Sequence, residues 1–132
     1  MTAFDIYLVG KVGSIALVNA SHDDIDYNII ARISRYLKPG YIWVTSGATE
    51  IGRLDYIKRT GFELIGDENS IKTDYSAQGQ SILMQNYRQF VDSRYSIRQF
   101  LVEHQHFNDK EKREYLKNAL LRCPKQGAIP II

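Results

Sequence analysis

Two apolar runs in this chain break off into small residues, one at Lys11-Val12-Gly13-Ser14 and the other at Val44-Thr45-Ser46-Gly47-Ala48. Short apolar runs bounded by turn residues read as buried strands. A strand that ends in small residues leaves backbone N–H groups exposed at its carboxyl end, which is where anionic ligands bind in open α/β sheets. The chain is thereby directed towards folds in which helices separate the strands and the turns after the strands carry the chemistry.

The remaining pattern agrees. Phe4 to Val9 reads as the first strand, closed by Gly10, and Ile15 to Val18 as a short strand beyond the Lys-Val-Gly-Ser turn. After the polar break Ser21-His22-Asp23-Asp24, the residues Ile25, Ile29, Ile30, Ile33 and Leu37 share one helical face, and Lys38-Pro39-Gly40 is a stop signal. Tyr41 to Val44 is the next strand, and its Ser46-Gly47 turn opens a helix through Ile51 and Leu54 towards Ile57. Thr60 to Asp74 has no firm periodicity and reads as a long exposed loop. From Tyr75, the positions of Leu83, Tyr87, Phe90 and Val91 predict a long amphipathic helix, followed by a strand near Ile97 to Val102. A further helix is predicted with Asn108 as cap, Glu111 as capping-box acid and Tyr115, Leu116, Ala119 and Leu120 as its apolar face. Pro124 and Gly127 end it, and Ala128 to Ile132 forms a closing strand. Strands alternating with helices predict an α/β fold with a mainly parallel sheet.

Composition narrows the function classes. A chain of 132 residues, 44% hydrophobic and 24% charged, has the balance of one globular domain. Its net charge of +2 is small, and acids are interspersed among its Lys and Arg residues, so no nucleic-acid partner is expected. The single cysteine, Cys123, excludes an internal disulfide and a cysteine-based zinc site, and fits a reducing, cytoplasmic setting. No apolar stretch reaches the roughly 20 residues that span a bilayer, and Asp5 just behind Met1 is wrong for a signal peptide. A soluble protein without a membrane partner is expected.

Lys11 stands one residue past a glycine at a strand end, where its ammonium could reach phosphate oxygens or could be a plain surface lysine. Ser46 and Gly47 could offer a hydroxyl and N–H groups to an anion, or Ser46 could simply cap the following helix. Gly10-Lys11-Val12 lacks the hydroxyl residue of a Walker loop, and neither Gly-x-Gly-x-x-Gly nor Gly-x-Ser-x-Gly occurs. His104 and His106 lie on one side of an extended segment, but no further metal ligands can be placed beside them, and they read as solvated. Gly79, inside a predicted helix, costs about 1 kcal/mol relative to alanine and demands a close approach of another backbone or a ligand.

Taken in order, these elements resemble the amino acid kinase family, most closely the amino-terminal half of its glutamate 5-kinase branch. Lys11-Val12-Gly13-Ser14 is similar to that family's first glycine loop, and Val44-Thr45-Ser46-Gly47-Ala48 with Gly52-Arg53 to its second. Gly79-Gln80-Ser81 with Leu83-Met84 resembles its central helix, and Gly127-Ala128-Ile129-Pro130-Ile131-Ile132 the strand before its substrate loop. The resemblance implies a three-layer αβα sandwich in which Lys11 stabilises the transferring phosphoryl group. It further implies that Ser46, with Gly47 and Ala48, binds the acceptor's carboxylate, and that Gly13 and Ser14 line the phosphate loop. ATP and Mg2+ would be the cofactors of the complete enzyme, and the acceptor a small acid such as glutamate. Uridylate kinases share similar loops, and a non-catalytic acid-binding module or an assembly subunit are the alternatives from other classes. Ile15 stands where the family usually has a small hydroxyl residue. The family's acceptor-binding Asn and Asp follow the Pro-Ile-Ile strand, so residues 1–132 are expected to be the acceptor-side part of an apparently truncated domain, catalytically poor without its ATP-binding half. Exposure of Ile129 to Ile132 at a sheet edge would then drive formation of a homo-oligomer.

Overall fold

The computed structural model describes residues 6–19 and 24–132. Phe4 and Asp5, the expected start of the first strand, and Ser21 to Asp23 of the polar break lie outside the described residues. In chain order the elements are β1 (Leu8–Val12), α1 (Ser14–Leu17), β2 (Val18–Asn19), β3 (Asp24–Ile25), α2 (Tyr27–Tyr36), β4 (Tyr41–Thr45), α3 (Ala48–Thr60), α4 (Glu68–Phe90), β5 (Ser96–Gln99), α5 (Gln105–Asn108), α6 (Lys110–Arg122) and β6 (Ala128–Ile131). A 3-10 turn at Pro124–Gln126 leads into β6. The expected α/β class with a mainly parallel sheet is observed: four parallel strands in the order β1-β4-β6-β5, with β2 and β3 as a small antiparallel pair beside them.

The steps from β1 to β4 and from β4 to β5 cross the sheet in one direction, and the step from β5 to β6 returns. Right-handed crossovers then place α2, α3 and α4 on one face and α6 on the other. Residues in register share a face: Gly10 with Trp43, Val12 with Thr45, Trp43 with Ile131 and Ile97 with Ile129. This face meets the core of Leu17, Ile30, Ile51, Leu83 and Tyr87. Arg98, on the opposite face from Ile97, donates to Gln126 at 2.5 Å in the turn after α6.

Local chemistry explains where the sequence reading was off. Gly10 does not close β1 but lies within it, because the Trp43 ring occupies the space that a Cβ at position 10 would need. Residues 15–18 are not a strand continuation. One helical turn buries Leu17 completely and leaves Ile15 92% exposed, and only Val18 and Asn19 are extended. The expected loop from Thr60 to Asp74 shrinks to residues 61–67, since Asp67 caps α4 by accepting from the Ser70 N–H at 2.9 Å. The strand expected to reach Val102 ends at Gln99. The cap of α6 is Asp109, which accepts from the Lys112 N–H at 2.9 Å, while Asn108 ends a separate turn. The expected apolar face of α6 is shallow, for none of its residues is buried. Finally, Ile129 and Ile131 are fully buried because β6 is an interior strand, so the apolar edge expected at Ile129 to Ile132 is not the arrangement observed.

Gly79 fulfils its expectation. A Cβ there would overlap the Ala48 carbonyl oxygen, and one at Gly52 would overlap that of Tyr75, so α3 and α4 touch backbone to backbone. Thr49 and Ser76 share a hydrogen bond of 2.6 Å across the same seam.

Candidate functional site

Because β1 and β4 are adjacent and parallel, the two small-residue tips emerge at the same edge of the sheet. They also touch. The Ser46 hydroxyl donates to the Val12 carbonyl at 3.3 Å, and a Cβ on Gly47 would stand 3.6 Å from Ser14 Cα. The end of β6 joins them: the Thr45 N–H donates to the Ile132 carbonyl and the Ile132 N–H to the Trp43 carbonyl, both at 2.8 Å.

Ser46 is not the cap of α3. Gly47 holds that position in the left-handed conformation, φ 106°, which favours glycine, and no side chain caps the helix. The first turn of α3 therefore presents N–H groups that its own helix cannot satisfy, at the positive end of the helix dipole. Gly79 and Ser76 on α4 hold this turn from behind through Ala48 and Thr49. Gly13, at the start of α1, has open space where a side chain would project.

Lys11 pairs with Val44, two residues before Ser46, and lies on the opposite face from Trp43. Its side chain is exposed and forms no ion pair among the described residues. Thus Gly47 is brought against Ser14 and Ser46 onto Val12, Ala48 opens the helix behind them, and Lys11 lies on the adjoining strand, with no ion pair among the described residues.

Sequence reasoning missed Glu50. It lines a shallow hollow with Ser14, Ile15 and Val18. Its carboxylate accepts from Arg53 Nε at 3.0 Å and Nη2 at 2.7 Å, and Arg53 Nη1 donates to Glu63 at 2.6 Å. The hydrogen bonds from Glu50 and then Glu63 push the guanidinium further upward from its ordinary value. Two carboxylates sharing one guanidinium leave a net negative charge beside the hollow. The spacing of Glu50 and Arg53 on one helix was a visible signal, whereas Glu63 reaches Arg53 across a turn and gave none.

A groove of about 520 Å³ lies elsewhere, between Phe100-Leu101 and α6, lined by His106, Tyr115 and Leu116 among others. It shares no lining residue with the loop tips. His106 Nδ1 is taken locally, accepting from the Glu103 N–H at 2.9 Å. No group of three or more His, Cys, Asp or Glu among the described residues could hold a metal ion, and no described helix is long and apolar enough to cross a membrane. An exposed Lys11 with no ion pair among the described residues, beside glycine-bearing turns, has the chemistry to meet a nucleotide phosphate. A resident Mg2+ has no ligand set among the described residues.

No protein-family model matches this chain, and no curated protein matches it either.

Proposed function

We propose that the two joined loops form the acceptor side of an ATP-dependent phosphotransferase of the amino acid kinase type, acting on a small amino acid such as glutamate. The observation that carries this reading is the meeting of the tips, in which the Ser46 hydroxyl closes on Val12 and Gly47 packs against Ser14. Phosphoryl transfer depends mainly on positioning and on charge stabilisation, and this junction supplies both kinds of group. In this reading the uncapped first turn of α3 receives the acceptor's carboxylate, and the Ser46 hydroxyl, which has one proton, exchanges the Val12 carbonyl for that carboxylate when the acceptor binds, while Lys11 offers a compact positive charge to the phosphoryl group. The three-layer sandwich implied by the family is supported by the parallel sheet and by crossovers that place helices on both of its faces.

Glu50 favours an amino acid over a nucleoside monophosphate. The surplus negative charge of the Glu50-Arg53-Glu63 trio suits an ammonium group and repels a phosphate dianion. Calorimetric titration of the 132-residue chain with L-glutamate, L-aspartate and uridine monophosphate tests this reading. Saturable binding of an amino acid that is lost in Ser46→Ala is the expected result. Tight binding of uridine monophosphate alone would transfer the proposal to the uridylate branch, and binding of none would remove it.

A further inference from the structure

Beneath the second loop lies a chain of hydrogen bonds that joins Trp43, Tyr87 and Thr45 to the Ser46 carbonyl. Tyr87, on α4, is fully buried, and burial pushes its hydroxyl above the ordinary phenol range. Trp43 Nε1 donates to the Tyr87 hydroxyl oxygen at 3.1 Å, and Tyr87 and Thr45 Oγ1 lie 2.9 Å apart. Thr45 Oγ1 in turn donates to the Ser46 carbonyl at 3.4 Å. A threonine hydroxyl has one proton, so when Thr45 gives it to Ser46, Tyr87 must be the donor to Thr45. The protons then all point one way, from the Trp43 indole through Tyr87 and Thr45 to the loop, and aligned hydrogen bonds of this kind strengthen one another.

The direction matters for the loop. The described chain has no cis peptide, so in the Ser46–Gly47 peptide the N–H points opposite to the carbonyl. Drawing the Ser46 carbonyl towards Thr45 turns the Gly47 N–H away from the relay. The Ser46 side chain is meanwhile tethered to Val12 on the neighbouring strand. We propose that Tyr87 is a positioning residue of the second loop, acting through Thr45 to fix the Ser46–Gly47 peptide with its N–H directed towards the ligand. Its functional meaning rests on the acceptor-loop reading above, but the relay itself can be tested without a ligand.

The experiment compares Tyr87→Phe, which keeps the ring, with Thr45→Val and Thr45→Ser, using amide NMR and hydrogen exchange on the full chain. Tyr87→Phe and Thr45→Val should shift the Gly47 and Ala48 amides alike, and Thr45→Ser should restore them. L-Glutamate affinity should fall about tenfold in the first two variants, the worth of one buried hydrogen bond, and combining them should add little. A purely space-filling Tyr87 would leave the Gly47 and Ala48 amides in place while only the Trp43 indole signal moved, and that result overturns the proposal. So does a Thr45→Ser that behaves like Thr45→Val. If Tyr87→Phe fails to fold, the two Thr45 variants decide alone. Amides that respond as expected in a protein that binds none of the three ligands would uphold the relay and refute the kinase reading.

Discussion

On the face of the sheet that meets α3 and α4, Ile51, Leu83 and Tyr87 keep 1% or less of their surface, whereas on the other face Val9 keeps 67% and Tyr115, on α6, keeps 76%. The sequences of the two helical layers explain the contrast. α4 approaches α3 through glycines and packs Leu83, Met84 and Tyr87 under the strands. α6 opens on Lys110-Glu111-Lys112-Arg113-Glu114 and can offer the sheet only a narrow strip around Leu116, Ala119 and Leu120. Both junctions that shape the second loop, Gly79 against Ala48 and Tyr87 against Thr45, belong to the tightly packed side. Rigidity is therefore concentrated where the loops are anchored.

Substitutions should separate the two faces clearly. The largest effect is expected for Gly79→Val, which drives a side chain into the Ala48 carbonyl; a loss of about 3 kcal/mol or more is expected from overpacking against backbone, measured by thermal unfolding. A loss below about 1 kcal/mol would mean that α3 and α4 can slide apart. Next, Leu83→Ala should lower stability by about 2–5 kcal/mol in denaturant titration, as for other buried leucines.

A smaller effect tests the link between the β2–β3 pair and α3, where Lys58 donates to Asp24 at 2.8 Å. That hydrogen bond lowers the Asp24 carboxyl and raises the Lys58 ammonium. A lowered carboxyl stabilises the fold above its ordinary value and loses that contribution as pH falls through the folded value; a raised ammonium does so below its ordinary value and loses it as pH rises. The stabilisation should span about pH 4 to 10 and, for so exposed a pair, stay under about 1 kcal/mol, as a comparison of Asp24→Asn with the parent across pH would reveal. Smallest of all, Tyr115→Ser on the loose face should change stability by no more than about 0.5 kcal/mol. A larger loss there would show that α6 holds the sheet more firmly than its exposure indicates.

The same contrast shows what the sequence made legible. Strand and helix order could be read because apolar periodicity is a local signal, and Gly79 announced a close backbone contact because glycine is unfavourable inside a helix. The Thr60–Asp74 stretch was misread because between Glu68 and Asp74 its helix carries one apolar residue, Ile71, too few for an apolar rhythm, even though Asp67 and Ser70 carried the cap. The interior place of β6 was misread as an edge because strand order is not written in local pattern: nothing in positions 128–131 says that they enter between two strands formed earlier. The two loops stand out in the sequence by their small residues, and their adjacency follows from the parallel pairing of β1 with β4. The Ser46–Val12 bond and the reach of Glu63 to Arg53 depend on tertiary placement, as does the Tyr87–Thr45 pair across 42 positions.

The strand order also carries a consequence for biosynthesis. Among the described residues β6 follows the other strands in the chain, yet it is the one that joins β4 to β5. Until residues 128–131 emerge, a nascent chain holds the β1–β4 pair and an unpaired β5, and the docking of β6 between them should be the event that makes folding cooperative.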